Sequence, residues 1–286
     1  MRIVLADLDG TLLSSKKTLA PRTLEALSEL AARGIEFVPC SGRPLAGIPD
    51  ELVALPAVHY AVCGNGALLY RLGGDGSFEP KEPASARSGA ELLHSVPMRR
   101  EDILDLYELV KDRDVLFDVF GDGIVYAERS RYDRIDGFGI DPHFVGPLTR
   151  SRVLVDEPIP AIMGKFSEVQ RLTIFWHVPE DRDLVLRAVE DNPRLAWVNS
   201  LPTNIEISSV DASKGNALGW LCEHLGIPRE ESVAFGDGNN DASMLEAAGD
   251  GVAVANAVPE TKAAADHLTG DNDAPGVADY LLGLLA

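Results

Sequence analysis

IVLADLDGTLL, residues 3–13, runs four apolar residues straight into two acids, Asp7 and Asp9. An all-apolar run of this kind fits a strand of a parallel sheet covered on both faces. Carboxylates at the end of a buried strand are unfavourable unless something pairs with them, yet Asp, Gly and Thr also suit a plain turn. Taken alone, DLDGTLL leaves two readings open: a strand-to-turn transition and a functional site.

Downstream, APRTLEALSELAARG carries Leu24, Leu27, Leu30 and Ala31 at helical spacing, with Pro21 near its start and Gly34 as a stop. IEFVPCSGR is a second strand ending in a polar loop, GIPDELVAL a helix, and HYAVCGNGALLY a strand, an Asn65-Gly66 turn and a strand. This β-α-β-α-β rhythm predicts a doubly wound α/β sheet. It breaks at YRLGGDGSFEPKEPASA, a linker or exposed hairpin by its Gly, Pro and Ser content. Helix-strand-strand patterns then occur on either side of residues 129–168, a stretch without a clear period. They predict a separate α+β unit with an antiparallel sheet. The parallel rhythm resumes at Asp211, with a helix from Ser213 to Gly226, the strand and loop SVAFGDGNND, the helix ASMLEAAG, the strand GVAVA and two last helices. GDND at 270–273 mimics GDGNND, but HLT before it is a poor strand, so it is read as a loop.

The 286 residues suit one large domain with an insertion, or two domains, and 45% hydrophobic content is enough for a sizeable core. A net charge of -19 argues against a nucleic-acid binder and against docking on anionic membranes. An anionic substrate therefore needs local cations. Three scattered cysteines, Cys40, Cys63 and Cys222, fit reduced thiols in a cytoplasm. No signal peptide is evident, and no stretch approaches the roughly 20 apolar residues of a membrane span.

Several apolar strands end in polar loops: DLDGT at 7–11, CSGR at 40–43 and GDGNND at 236–241. In an open parallel sheet the carboxyl ends of the strands line one edge, where ligands bind. Lys214, just past the strand NIEISS, can join them. Asp7, Asp9, Asp237 and Asp241 would then crowd together and raise one another's pKa without a cation. A hard divalent cation such as Mg²⁺, which takes oxygen ligands, resolves that crowding. Lys214 adds a point charge, and Ser41 with the amides around Gly42 can bond phosphate oxygens. This is equipment for phosphoryl transfer, and it breaks the tie left by the opening stretch.

The ordered set DLDGTLL, SGR, SKG and GDGNND resembles the four motifs of the haloacid dehalogenase superfamily of phosphohydrolases. The insertion between the second and third motifs resembles the type II (IIB) cap. CGNGA at 63–67 and the form GDGNND resemble the Cof-type branch, whose members are mostly sugar-phosphate and related phosphatases. The resemblance covers nearly the whole chain. It implies a Rossmann-like α/β core over 1–83 and 209–286 and an inserted α+β cap over 84–208 that closes on substrate and sets specificity. It implies a Mg²⁺-dependent phosphatase acting on a small phosphorylated metabolite.

By the same resemblance, Asp7 attacks phosphorus and becomes an aspartyl phosphate, while Asp9 protonates the leaving oxygen and later takes a proton from water. Mg²⁺ is held by the Asp7 carboxylate, the Asp9 carbonyl and Asp237, with Asp241 supporting the metal and Lys214 from behind. Ser41, Gly42 and Lys214 bind the phosphoryl group, and Asn240 reaches the phosphate or the metal's waters. Superfamily dehalogenases lack the second acid, so Asp9 disfavours that activity.

Blander readings stand beside these. Lys214 opposes its helix dipole as a solvated lysine would not need to, and Ser41 has a turn reading. Arg43 is open between substrate contact and a surface salt bridge, and Asn65 between ligand contact and hairpin chemistry. Arg129, Arg131, Arg134 and Lys165 are candidates for polar parts of the substrate, with surface solubility as the alternative. Two rivals remain: a phosphotransferase or mutase of the phosphomannomutase type, and a non-catalytic phosphometabolite-binding protein. Oligomeric state is not readable.

Overall fold

A computed structural model of the chain describes residues 1–73, 89–199 and 201–286. The chain divides into two compact units. Among the described residues, the first contains 1–73, 89–94 and 212–286, and the second contains 95–199 and 201–211. Of the stretch read as a linker or exposed hairpin, residues 74–86 lie outside the described residues, as does the expected boundary at 83/84.

In chain order the strands are β1 Ile3–Ala6, β2 Glu36–Pro39, β3 Tyr60–Cys63, β4 Leu68–Arg71, β5 Glu91–Ser95, β6 Val115–Gly121 and β7 Ile124–Glu128. They continue with β8 Arg152–Val155, β9 Val169–Trp176, β10 Leu195–Val198, β11 Asn204–Ser209, β12 Ser232–Gly236, β13 Asp250–Ala253 and β14 His267–Leu268.

The first unit is built on a parallel sheet of order β14-β13-β12-β1-β2. All four residues of β1 are buried, as a strand covered on both faces requires. From β1 the order runs to β2 on one side and to β12 on the other. This reversal is the switch point at which open α/β sheets bind ligands, beyond the carboxyl ends of the strands. A second sheet, β3-β4-β5, has β3 and β4 antiparallel, and β3 meets the end of β2 through a Cys40–Val62 bridge.

Local chemistry sets the helices that matter for the site. The helix Pro21–Ala32 starts with Pro21 and buries Thr23, Ala26, Leu27 and Leu30; Leu24 stays at the surface. The helix Lys214–Leu225 starts at Ser213, whose Oγ accepts from the Asn216 amide at 3.0 Å. It stops at Gly226, whose φ of 63° is the left-handed cap.

Three expectations for this unit need correction. GIPDELVAL is not one helix: a 3-10 turn at Leu45–Gly47 and a single α turn at Asp50–Val53 flank Ile48-Pro49, where proline disfavours continuation from the preceding residue. HLT does contribute a strand, because β14 adds two residues to the sheet edge beside β13. β5 was not anticipated either.

The second unit holds a sheet of order β10-β11-β9-β6-β7-β8. It is antiparallel throughout except for the parallel pair β7–β8. One face packs Phe117, Val119, Leu172, Ile174 and Ile207 with Ile103, Leu106 and Val185 of the helices Arg100–Val110 and Pro179–Glu190. On the other, Leu116 and Phe175 meet Tyr132, Ile135 and Phe138. The aperiodic stretch 129–168 thus consists of short helical turns, β8 and the helix Pro142–Arg150.

The four cations proposed there for substrate are engaged inside their own unit. Arg131 is buried, pairs with Glu128 at 2.7 Å and donates to the carbonyls of Lys111, Arg113 and Val115. Arg129 pairs with Asp156, Arg134 with Asp114 and Lys165 with Glu157. Arg131 is therefore a structural residue.

Breaking a buried pair leaves a charge without a partner and costs about 3–5 kcal/mol, whereas an exposed pair contributes about 0–1 kcal/mol. Arg131→Ala should accordingly lower the unfolding free energy by roughly 3–5 kcal/mol in urea titrations, and Arg134→Ala by less than about 1 kcal/mol. Equal effects would contradict this division.

Candidate active site

β1 hands the chain to Asp7 at the switch point. The Asp7 amide still bonds the Phe235 carbonyl of β12 at 3.0 Å, so this residue is fixed by the sheet ladder itself. β12 leads in the same way to Gly236 and Asp237. One carboxylate oxygen from each of Asp7, Asp237 and Asp241 lies within 4.8 Å of the others. The acids written more than two hundred positions apart do meet.

Lys214, at the start of its helix, is fully buried. Its ammonium donates to Asp7 Oδ1 at 2.6 Å and to Asp241 Oδ1 at 2.5 Å. Asp241 is saturated, since its Oδ2 accepts from the amides of Asp237 and Gly238, both at 2.9 Å. Asp237 Oδ1 accepts from Thr11 Oγ1 at 2.6 Å. The Oδ2 atoms of Asp7 and Asp237 receive no hydrogen bond from the described residues. Asp241 is thus a brace, while Asp7 and Asp237 each present an oxygen. A pair of available carboxylate oxygens beside a buried ammonium fits a hard divalent cation.

Close approach explains two glycines here. Gly10 has a φ of 90°, and a Cβ on it would lie 2.5 Å from Asp237 Oδ2. A Cβ on Gly66, φ 99°, would lie 2.1 Å from the Ser213 carbonyl, directly before Lys214.

Asp9 occupies a different environment. Arg43 grips it with two bonds of 2.6 Å, and the Lys17 ammonium lies 2.6 Å from its Oδ1. Arg43 is itself anchored to the Gly47 carbonyl at 2.7 Å. Arg43 therefore forms a part-buried salt bridge to Asp9, at the site and not elsewhere on the surface. Ser41 is buried, and its Oγ accepts from the Arg43 amide at 3.2 Å. Asn65, in the left-handed region with φ 59°, accepts from Asn240 Nδ2 at 2.9 Å, and a Cβ on Gly42 would lie 2.8 Å from the same Asn65 oxygen. The third and fourth motif loops thus meet Asp7, and the second meets Asp9 two residues on. Thr11 and Lys17 were missed by sequence reasoning. Thr11 sits inside the DGT motif and could have been found there, whereas Lys17 in SSKK carries no such signal.

These surroundings separate the acids electrically. Burial pushes Asp7 up to about 7, with Lys214 opposing and Asp241 and Asp237 adding to the rise. Burial likewise pushes Asp237 up to about 6, offset in part by Thr11. Burial also acts to raise Asp9, but Arg43 and Lys17 outweigh it and hold the carboxyl below its ordinary value. Lys214 is raised above the usual lysine value, because Asp241 and Asp7 outweigh its burial. Two nearby carboxyls with opposed shifts mark a site capable of distinct nucleophile and acid–base roles.

A family model described as haloacid dehalogenase-like hydrolase matches residues 4–281. The chain belongs to that family. It is 29% identical to the putative phosphatase YxeH of Bacillus subtilis (strain 168), over 97% of this chain and 96% of that protein. It is equally 29% identical to the pyridoxal phosphate phosphatase YbhA of Escherichia coli (strain K12), over 98% of this chain and 97% of that one. A solved haloacid dehalogenase subclass IIB sugar phosphatase shares the fold, with a TM-score of 0.79, 22% identity and 99% of both chains covered. The Cof-type phosphohydrolase resemblance thus holds over the whole chain, and the α/β core with an inserted α+β unit is the fold of that family. No helix among the described residues is long and apolar enough to cross a membrane.

The raised Asp237 carries a stability consequence. Its ordinary value is 3.8 and its folded value about 6, so the folded chain binds the extra proton and loses that stabilisation as pH rises from about 4 to 6. In EDTA, Asp237→Asn should therefore gain on wild type across this window and hold the gain above it. After allowing for partial exposure the gain is on the order of 1–2 kcal/mol. Urea titrations at stepped pH check it; a gap that is flat or shrinks with pH contradicts the assignment.

Proposed function

We propose that this protein is a Mg²⁺-dependent phosphatase that hydrolyses small phosphorylated metabolites, sugar phosphates or similar, through an aspartyl phosphate on Asp7. The observation that carries the reading is Asp7 itself: a strand-end carboxylate locked by the ladder, neutralised on one oxygen by Lys214, and presenting the other beside Asp237. A phosphatase named for pyridoxal phosphate among the relatives supports a small phosphorylated substrate.

The substrate's phosphoryl group lies against Lys214, Ser41, the Gly42 amide and Asn240, which neutralise and orient it. Asp7 attacks phosphorus, forming the aspartyl phosphate as the ester P–O bond breaks. Before that step Asp9 is held ionised by Arg43 and Lys17. The arriving phosphate dianion competes for those two cations, and Asp9, released beside it, takes a proton from solvent and delivers it to the leaving oxygen. The resulting Asp9 carboxylate then accepts a proton from the water that attacks the aspartyl phosphate. Inorganic phosphate leaves and Asp7 is restored.

Asp7, the Asp9 carbonyl and Asp237 would hold the Mg²⁺, with Asp241 bracing them. When bound it neutralises the phosphoryl oxygens as charge moves during transfer. We assign the choice of substrate to the second unit. The three cysteines are free and buried, in keeping with a reduced cytoplasmic setting.

A panel of phosphorylated metabolites read by phosphate release, with Mg²⁺ or with EDTA, tests this. Wild type should turn over several sugar phosphates and p-nitrophenyl phosphate with Mg²⁺ and lose that activity in EDTA. Asp7→Asn removes the nucleophile and should lower kcat by about a thousandfold or more. Equal turnover by both proteins rejects the mechanism, and isomerised sugar phosphate without free phosphate points to a mutase instead.

A further inference from the structure

Asp7 and Asp9 are held by different means. Asp7 continues the β1 ladder through its bond to Phe235. Asp9 belongs to a loop whose next residue is Gly10 at φ 90° and which reaches Lys17 at φ 60° before the following helix begins. Such a loop needs external restraint to keep its carboxyl in place.

Arg43 and Lys17 hold the Asp9 carboxylate itself, and the Leu12 and Leu13 amides bond the Asp7 and Leu8 carbonyls; further restraint on the loop's backbone comes from the far end of the chain, from segments that the four motifs do not include. Asn256, just after β13, donates from Nδ2 to the Gly10 carbonyl at 2.7 Å. Its Oδ1 accepts from the Asn272 amide at 3.1 Å, so both ends of the side chain are committed. Asn272 donates from Nδ2 to the Leu13 carbonyl at 2.9 Å. Asp273 Oδ1 accepts from the Ser15 amide at 2.8 Å. Three side-chain bonds therefore land on the backbone of one loop, at 10, 13 and 15.

The clasp is stiff. Asp271 Oδ1 accepts from the amides of Asp273 and Ala274 at 3.0 and 2.8 Å, closing the turn. Gly270 and Gly276 touch so closely that a Cβ on Gly276 would lie 2.1 Å from the Gly270 carbonyl. The segment after Asn256 also holds the Asp237 loop, since the Val258 amide bonds the Asp237 carbonyl at 2.9 Å and Thr261 Oγ1 the Gly238 carbonyl at 2.7 Å. The segment 256–261 thus touches both loops, Asn256 the one that carries Asp9 and Val258 and Thr261 the one that carries Asp237. GDND at 270–273 is the back of this clasp and not a copy of the fourth motif.

We propose that Asn256, backed by Asn272 and Asp273, is a positioning residue that fixes the Asp9 loop and so governs proton delivery to the leaving group, an inference that rests on Asp9 serving as the general acid. Releasing the clasp displaces Asp9 but leaves Asp7 in its ladder. Nucleophilic attack then survives better than protonation, and the loss grows with the basicity of the leaving group.

Asn256→Asp is nearly isosteric. It keeps the acceptor for Asn272 but turns an oxygen toward the Gly10 carbonyl. Asn272→Asp does the same opposite Leu13 and serves as the second variant should the first fold poorly. Each is assayed as the full chain with Mg²⁺ on p-nitrophenyl phosphate, whose phenolate leaves readily, and on phenyl phosphate, whose phenolate leaves poorly. For each variant the ratio of kcat on the first to kcat on the second should rise about tenfold or more over wild type, while Tm falls by no more than roughly 4 °C. Asp9→Asn is the control and should raise the same ratio further. A raised ratio in Asp9→Asn with an unchanged ratio in both clasp variants overturns the positioning role alone. An unchanged ratio in Asp9→Asn overturns the acid assignment and this inference with it.

Discussion

One buried ammonium organises the carboxyl edge of the parallel sheet. Lys214 is fully enclosed and is bonded to Asp7 and Asp241, which come from the first and fourth motif loops. Three carboxylates gathered there without it would repel one another in a poorly solvated space. Burying the ammonium without the acids would be just as unfavourable. The helix beginning at Lys214, the end of β1 and the turn after β12 must therefore form together, and Gly66 permits it by letting backbone pack against Ser213.

With that charge in place, the two acids of DLD face opposite demands and receive opposite surroundings. Asp7 is enclosed among acids, and burial with Asp241 and Asp237 raises its pKa against the opposing charge of Lys214. Asp9, two residues on, is partly exposed and pinned between Arg43 and Lys17. The chain leaves β1 at Ala6 and turns, so Asp7 meets Lys214 while Asp9 meets Arg43 and Lys17, and a single tripeptide supplies two carboxyls in distinct surroundings.

The parts of the site that could be read from the sequence were those where a polar residue interrupts a strong pattern. Asp7 and Asp237 each end an apolar strand, and Lys214 follows an N-capping Ser213 where a cation opposes the helix dipole. Their meeting follows from the parallel sheet rule, not from any local signal. What escaped was set by tertiary context. β14 is two exposed residues that pair only because β13 presents an edge, and β8 pairs in parallel inside an otherwise antiparallel sheet. Lys17 gains its partner from a left-handed turn that its residue type does not favour. Arg131 stood open between a substrate contact and a solubilising surface residue, but it is inside because three carbonyls and Glu128 are arranged to receive it.

The distribution of charge also bears on how so acidic a chain handles an anionic substrate. In the second unit the buried cations meet acids of their own sheet and helices: Arg152 with Asp118, Arg131 with Glu128, Arg171 with Glu206. Such pairs are enclosed, and their fields are spent locally. In the first unit Lys214 instead holds Asp7 and Asp241, and Arg43 and Lys17 hold Asp9, all at the carboxyl edge of the parallel sheet. The long-range field of a chain with net charge -19 repels a phosphate ester, but it is screened beyond about 10 Å at ordinary salt. Inside that distance the nearest charges decide, and there Lys214, Arg43 and Lys17 already stand in position beside their acids.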